Sequence, residues 1–276
     1  MPRCADPGCG RWRPGVGAPQ WMAGIRMNDE WYCSRACVAA AAREGLDERA
    51  KPSAMVAPLP PLKLGVLLRH QGAITEAQLD LALAMQRASG LPLGAQLQQL
   101  GFVGPDPILK SLASQCQVSY LTTFDVAKVQ RGPGGLPPET VRALGVVPFE
   151  ADEARRVLKV ICTAPVPRTA LRALVKLTGW TAEPYLVDDS ILELAMDLYQ
   201  PAHAAGRGQA KAQRVGNVHD AAAYVAEAAA RDRAVTVRHA DCDEYMWVRV
   251  EGRERVTDFL VSGSKEQTCR AAHTAR

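Results

Sequence analysis

Residues 64–86, LGVLLRHQGAITEAQLDLALAMQ, return in altered form 29 residues later as residues 93–115, LGAQLQQLGFVGPDPILKSLASQ. The copies align Leu64 with Leu93, Gly65 with Gly94, Leu68 with Leu97 and Gly72 with Gly101. They continue with Ile74 and Val103, Leu79 and Ile108, Leu83 and Leu112, and Gln86 and Gln115. Such a period specifies one supersecondary unit made twice, and two copies fall short of the roughly three stacked units that a solenoid needs. A pseudo-symmetric pair of helical hairpins is therefore expected. Leu64, Leu67 and Leu68 outline a short helix ended by Gly72, and Thr75 with Gln78 has the pattern of a capping box before a second helix. In the other copy Asp106 and Pro107 are expected as cap and first turn.

Positions 79, 83 and 86 share one helical face, as do 108, 112 and 115, so each copy places a glutamine in line with an apolar seam. Leaving a buried amide unpaired costs roughly 1–3 kcal/mol, so each glutamine needs a partner. That partner is either a nearby backbone group or a ligand with two similar halves.

Around the repeat the chain divides into segments. Residues 1–50 carry four cysteines, and the proline-bearing spacer 51–61, KPSAMVAPLPP, sets a boundary before the helical unit, 62–136. After residue 137 the period alternates. Helices in LPPETVRALG, RTALRALVKLTG and DSILELAMDLY and strands in VVPFE, RRVLKVICT and AEPYLV predict a small mixed α/β subdomain over 137–200. Residues 201–216 are expected as a linker, 217–262 as a helix followed by a three-stranded meander with a turn at Glu251-Gly252, and 263–276 as a disordered tail. The fold class expected is an α+β multidomain chain: a small Cys4 zinc module, a helical hairpin repeat joined to a mixed α/β subdomain, then a helix plus antiparallel β-meander.

Of eight cysteines, Cys4, Cys9, Cys33 and Cys37 cluster near one end, while Cys116, Cys162, Cys242 and Cys269 are scattered. Two close pairs separated by a loop provide four thiolates for a tetrahedral zinc ion, and filling all four positions with sulfur implies a structural rather than catalytic metal. WYCSRAC running into VAAAAREG resembles treble-clef-like zinc motifs, in which the second pair begins a helix. Arg11, Trp12, Arg13, Arg26 and Arg35 could touch another molecule. Six acids against seven arginines over residues 1–50 favour a structural or protein-contacting role over nucleic-acid binding.

KLGVLLRHQGAITEAQLDLALAMQ followed by PLGAQLQQLGFVGPDPILKSLASQ resembles the tandem motif of the MshEN domain, the amino-terminal domain of type II secretion and type IV pilus assembly ATPases. The resemblance continues through LPPETVRALGVVPFE, LKVICTAP, LRALVKLTGWTAEPYLV and ILELAMDLYQ, and so covers residues 62–200. It implies a site for cyclic di-GMP, each motif holding one guanine half. Leu64, Leu68, Leu93 and Leu97 would offer apolar surface to the purines, Gly65 and Gly94 would let backbone approach phosphate, and Gln86 and Gln115 would make polar contacts. Lys63, Gly72, Leu83, Gly101 and Leu112 complete the implied set. The family motif opens with arginine, where this chain has Lys63 and Pro92. Lysine keeps the charge but loses the planar fork, and proline keeps neither, which predicts weakened binding. The segment AAAYVAEAAARDRAVTVRHADCDEYMWVRVEGRERVTDFLV is similar to the next subdomain of those ATPases in a degenerate copy.

No G-x-x-x-x-G-K-[ST] phosphate loop occurs, the five histidines form no spaced cluster with carboxylates, and no nucleophile motif is present. With 47% hydrophobic and 22% charged residues and no apolar run long enough to cross a bilayer, a cytoplasmic chain without membrane insertion is expected. A net charge of +4 points to no polyanionic partner. The function expected is a non-enzymatic regulator or adaptor that binds cyclic di-GMP and contacts a secretion or pilus ATPase or other machinery protein. The alternative is a protein–protein interaction scaffold of such a system without nucleotide binding.

Overall fold

The computed structural model describes residues 3–12, 24–47, 63–132, 135–201, 211–232, 234–242, 245–252 and 255–262. The expected spacer 51–61, the tail 263–276 and Arg13 lie outside them.

Four helices carry the tandem motif: α2 (Leu64–His70), α3 (Glu76–Ser89), α4 (Leu93–Gln99) and α5 (Pro105–Cys116), following α1 (Arg35–Asp47). Thr75 caps α3 as the sequence predicts: its hydroxyl accepts from the Gln78 backbone N–H, and the Gln78 side chain accepts from the Thr75 N–H. In the second copy the cap is Gly104 and the helix starts at Pro105, one residue before the expected cap and two before the expected first turn. Proline fits a first helical position because the N–H it lacks would have had no partner there. The two copies pack crosswise, α2 against α5 and α3 against α4, around Leu68, Ile74, Ala82, Leu97 and Ile108.

The mixed α/β part contains α6 (Pro138–Leu144), α7 (Arg168–Thr178) and α8 (Asp189–Leu198) around a four-stranded sheet. Numbered in chain order after two amino-terminal strands, its members are β3 (Ser119–Tyr120), β4 (Val147–Asp152), β5 (Val157–Cys162) and β6 (Thr181–Leu186), in the order β3-β6-β5-β4. β4 and β5 form a hairpin, and α7 carries the chain over to β6, parallel to β5. Val160, Ile161, Leu174, Leu177 and Leu186 are wholly buried here, and Leu109 and Ala113 of α5 join the same core.

A second sheet takes strands from both sides of the tandem-motif region: β1 (Ile25–Met27), β2 (Glu30–Tyr32), β7 (Lys211–Val215), β8 (Ala234–Asp241), β9 (Tyr245–Glu251) and β10 (Val256–Ser262). Its order is β2-β1-β8-β9-β10-β7. The helix α9 (Val218–Asp232) and the expected meander β8-β9-β10 are present. The expected linker 201–216, however, contains β7, parallel to β10. Of that strand only Val215 is buried, so it has no apolar alternation to announce it. The β9-β10 turn also differs from expectation: Glu251 ends β9 and pairs with Val256, and the Gly252 N–H donates to the Arg255 carbonyl.

The central strands are buried on both faces. Val248, Val250, Phe259 and Val261 face α9 and α1, while Trp247 and Leu260 face the α/β core. The amino-terminal segment and the last sheet thus share one core, since α1 packs on α9 and β1 pairs with β8.

Candidate functional site

The leading ends of α2 and α4 meet across a local pseudo-two-fold. A Cβ added to Gly65 would lie 2.6 Å from Leu79 Cδ1 and 3.3 Å from Leu93 Cδ2. One added to Gly94 would lie 3.2 Å from Ile108 Cγ2 and 3.6 Å from Leu64 Cδ2. Leu79 and Ile108 are repeat equivalents, as are Leu93 and Leu64, so the two sets of contacts exchange under the repeat. Each motif's glycine therefore sits against the other motif's first leucine, which brings Lys63, Leu64 and Gly65 together with Pro92, Leu93 and Gly94.

Leu64 and Leu93 are half-buried at this locus, whereas Leu68 and Leu97 are wholly buried and form the packing beneath it. The expectation that Leu68 and Leu97 offer surface to purine faces therefore fails, because the helix core uses that surface. Gly72 and Gly101 have φ of 69° and 66°, and both close the first helix of their copy. Ala73 N–H donates to the Leu68 carbonyl at 2.9 Å and Phe102 N–H to that of Leu97 at 3.1 Å, the same helix-ending bond made twice. Leu112 is half-buried and packs on both neighbouring cores, while Leu83 is 36% exposed.

Gln86 and Gln115 are both half-buried. The buried polar side chains of the unit are two others that the sequence did not single out. Gln96 accepts from the Ser89 hydroxyl at 2.7 Å. Ser111 donates to Gln71 Oε1 at 3.0 Å and to the Pro107 carbonyl at 2.8 Å. Both Ser89–Gln96 and Gln71–Ser111 join one copy of the motif to the other.

The four clustered cysteines converge. Their sulfurs all lie within 4.8 Å of one another, with Cys9–Cys33 at 3.3 Å and Cys33–Cys37 at 3.6 Å. Cys4 and Cys9 come from a loop closed by the Cys4 N–H donating to the Arg11 carbonyl at 2.7 Å; Cys33 follows β2, and Cys37 lies in the first turn of α1. The β1-β2 hairpin that positions Cys33 turns on Asn28 and Asp29, with φ of 52° and 66°, the pair of left-handed residues that a two-residue hairpin requires. Two donors point at sulfur: the Cys33 N–H at Cys4 Sγ and the Ser34 hydroxyl at Cys37 Sγ, each at 3.4 Å. Hydrogen bonding with the Arg11 backbone holds the Cys9 thiol below its ordinary range, while burial raises that of Cys33. A tetrahedral Zn²⁺ with Zn–S bonds of about 2.3 Å needs sulfurs roughly 3.8 Å apart, and this donor set fits it. The cluster can hold a metal ion.

A cleft of about 220 Å³ on the four-stranded sheet is lined by Phe124, Lys128, Phe149, Glu150, Lys159 and Tyr185, among others. Within it Lys159 binds Glu150 at 2.6 Å, and the Lys128 ammonium lies 5.9 Å from the Phe149 ring centre.

No family model matches the chain. Over 139 residues it is 26% identical to the type IV pilus assembly ATPase PilB of Thermus thermophilus, a match covering 50% of this chain and 16% of that protein. Among solved structures, MshE with cdg (cyclic di-GMP) is 27% identical, with a TM-score of 0.41, covering 50% of this chain and 99% of the other. The N-terminal domain of XpsE is 15% identical, with a TM-score of 0.35, covering 52% of this chain and 99% of that one. The duplicated motif and the sequence similarity to PilB agree: this chain carries a domain of the MshEN type, the kind found at the amino terminus of secretion and pilus ATPases.

Proposed function

We propose that this chain is a non-enzymatic regulator or adaptor that binds cyclic di-GMP across its tandem motif and relays that state to a secretion or pilus ATPase. The carrying observation is the interlock of the two motif starts, in which a Cβ at Gly65 would meet Leu93 and one at Gly94 would meet Leu64. A two-fold dinucleotide needs two equivalent half-sites close together, and the adjacency of the two motif starts supports that reading. Half-buried Leu64 and Leu93 supply apolar surface, Lys63 the charge, and Gln86 and Gln115 the amides. A ligand touching both halves would favour the arrangement in which α2-α3 is held against α4-α5, and an effector acts only through such a difference in affinity. The four cysteines hold a structural zinc ion in this reading.

Calorimetric titration of the intact chain with cyclic di-GMP tests the proposal. Heat that is reduced in the Gln86→Ala, Gln115→Ala double variant is expected, and no heat from the intact chain overturns it. Pro92→Arg restores the guanidinium that the resemblance places before Leu93. A charged hydrogen bond contributes roughly 1.5–3 kcal/mol, so this variant should bind about tenfold or more tightly in the same titration.

One observation favours the scaffold reading. Leu81 and Met85, one turn apart on α3, are 49% and 45% exposed. Apolar side chains at that spacing on an open helix face suit a protein partner, and an intact chain that gives no heat with the nucleotide would leave this reading standing.

A further inference from the structure

We propose that the cysteine centre is a metal-dependent latch: with zinc bound, residues 24–47 close the edge of the second sheet, and loss of the metal releases that edge. The inference rests on the zinc reading above and adds what the metal controls.

The amino-terminal segment docks far along the chain. Its strand β1 has only three residues and pairs with β8 through Arg26↔Ala234 and Met27↔Val235. Asn28 extends the contact by one step. Its N–H donates to the Val235 carbonyl at 3.0 Å, and its Oδ1 accepts from the Val237 N–H at 2.7 Å, across 209 positions of sequence. So short a strand has little stability of its own, and closing so long a loop opposes the pairing. Side chains supply the rest: Ile25, Met27, Trp31, Tyr32, Val38 and Leu46 are all at most 7% exposed, in a core shared with α9.

Those side chains lie on two separate elements, the β1-β2 hairpin and α1. The cysteines tie together the hairpin, the first turn of α1 and the preceding loop, since Cys33 follows the hairpin, Cys37 is in the helix and Cys4 and Cys9 are in the loop. Beside them the Ala5 N–H donates to the Trp31 carbonyl at 2.9 Å and α1 packs on both strands. With the metal in place the three pieces dock as one preorganised body. Without it the apolar contacts and the Ala5–Trp31 hydrogen bond alone must offset the conformational entropy of ordering them.

The latch covers the first half of β8, from Ala234 to Val237. β8 runs for eight residues, Ala234–Asp241, and is paired on its other side with β9. Once β1 leaves, the Val237 N–H and Val235 carbonyl lose the partners that Asn28 gives them, and β8 becomes an open edge strand.

Hydrogen exchange on the full chain tests this, in zinc-loaded, chelator-stripped and zinc-restored samples, with zinc counted by elemental analysis. The latch requires the Asn28 and Val237 amides to exchange at least about tenfold faster on stripping and to recover on restoration, with β9-β10 amides unchanged. Recovery on restoration separates latch opening from irreversible misfolding. One zinc per chain with unchanged protection of Asn28 and Val237 overturns the latch alone, whereas no bound zinc overturns the zinc reading and the latch with it. Asn28→Gly supplies a second measurement. It tolerates the left-handed turn and leaves all four cysteines, so zinc should remain while Val237 exchange rises; unchanged Val237 exchange in this variant would overturn the assignment of that contact.

Discussion

Gly65 and Gly94 are equivalent in the repeat but not in their surroundings. An added methyl at Gly65 would sit 2.6 Å from Leu79 Cδ1, well inside contact distance, while at Gly94 the nearest atom is 3.2 Å away. Alanine also gains roughly 1 kcal/mol of helix propensity over glycine, and overpacking costs about 1–3 kcal/mol. Gly94→Ala is therefore expected near neutral, and Gly65→Ala less stable than Gly94→Ala by about 1–2 kcal/mol in urea unfolding. Equal stability of the two would show that Leu79 turns aside freely. This packing role was not legible in the sequence, because a glycine near the start of a helix reads the same whether it admits a ligand or a leucine. The buried polar pairs escaped for a related reason. Gln86 and Gln115 stand out because they repeat, but Gln96 and Ser111 have Leu67 and Ala82 as their counterparts, so the alignment hides them. Their partners, Ser89 and Gln71, are fixed only by the crossed packing of the helices.

At the level of elements, the hairpin repeat keeps its symmetry most closely where backbone conformation is constrained. Gly72 and Gly101 share a left-handed φ and open surroundings, so alanine at either meets no clash and is opposed only by backbone strain. Gly72→Ala and Gly101→Ala should each cost about 1–2 kcal/mol. Thermal unfolding should show matching losses, in contrast to the unequal pair at 65 and 94; a large difference would mean that the two helix ends are not equivalent. Long periodic elements such as α3, α5, α7 and α9 were legible because their apolar spacing repeats over several turns. β1, β2 and β3 were not, as two or three residues carry no period, and β7 has its side chains mostly exposed. The second copy's start was misplaced for a different reason: Asp106 looks like a cap, but Pro105 already occupies the first turn, behind Gly104.

On the scale of the molecule, the second sheet joins segments that no local pattern connects, since β1 and β8 pair from opposite sides of the tandem-motif region. That sheet holds a buried ion pair between β9 and β10, whose carboxylate also binds Thr140 of the α/β part. Arg249 binds Asp258 through Nε at 2.8 Å and a terminal nitrogen at 3.1 Å, with side chains 6% and 0% exposed. Thr140 of α6 donates to the same carboxylate at 3.3 Å, and the Arg249 guanidinium lies 5.3 Å from the Trp247 ring centre. The carboxylate thus serves both β9-β10 and α6. Asp258→Ala leaves Arg249 buried with its charge unmatched and Thr140 without its acceptor. Breaking such a pair from one side costs about 3–5 kcal/mol, which is the loss expected in urea unfolding. If the cost comes from the stranded charge, Arg249→Met added to Asp258→Ala should recover most of it, because no buried charge is then left to desolvate. A double variant as unstable as Asp258→Ala alone would instead place the cost in the cavity and in the lost Thr140 bond, the contact by which this carboxylate reaches α6.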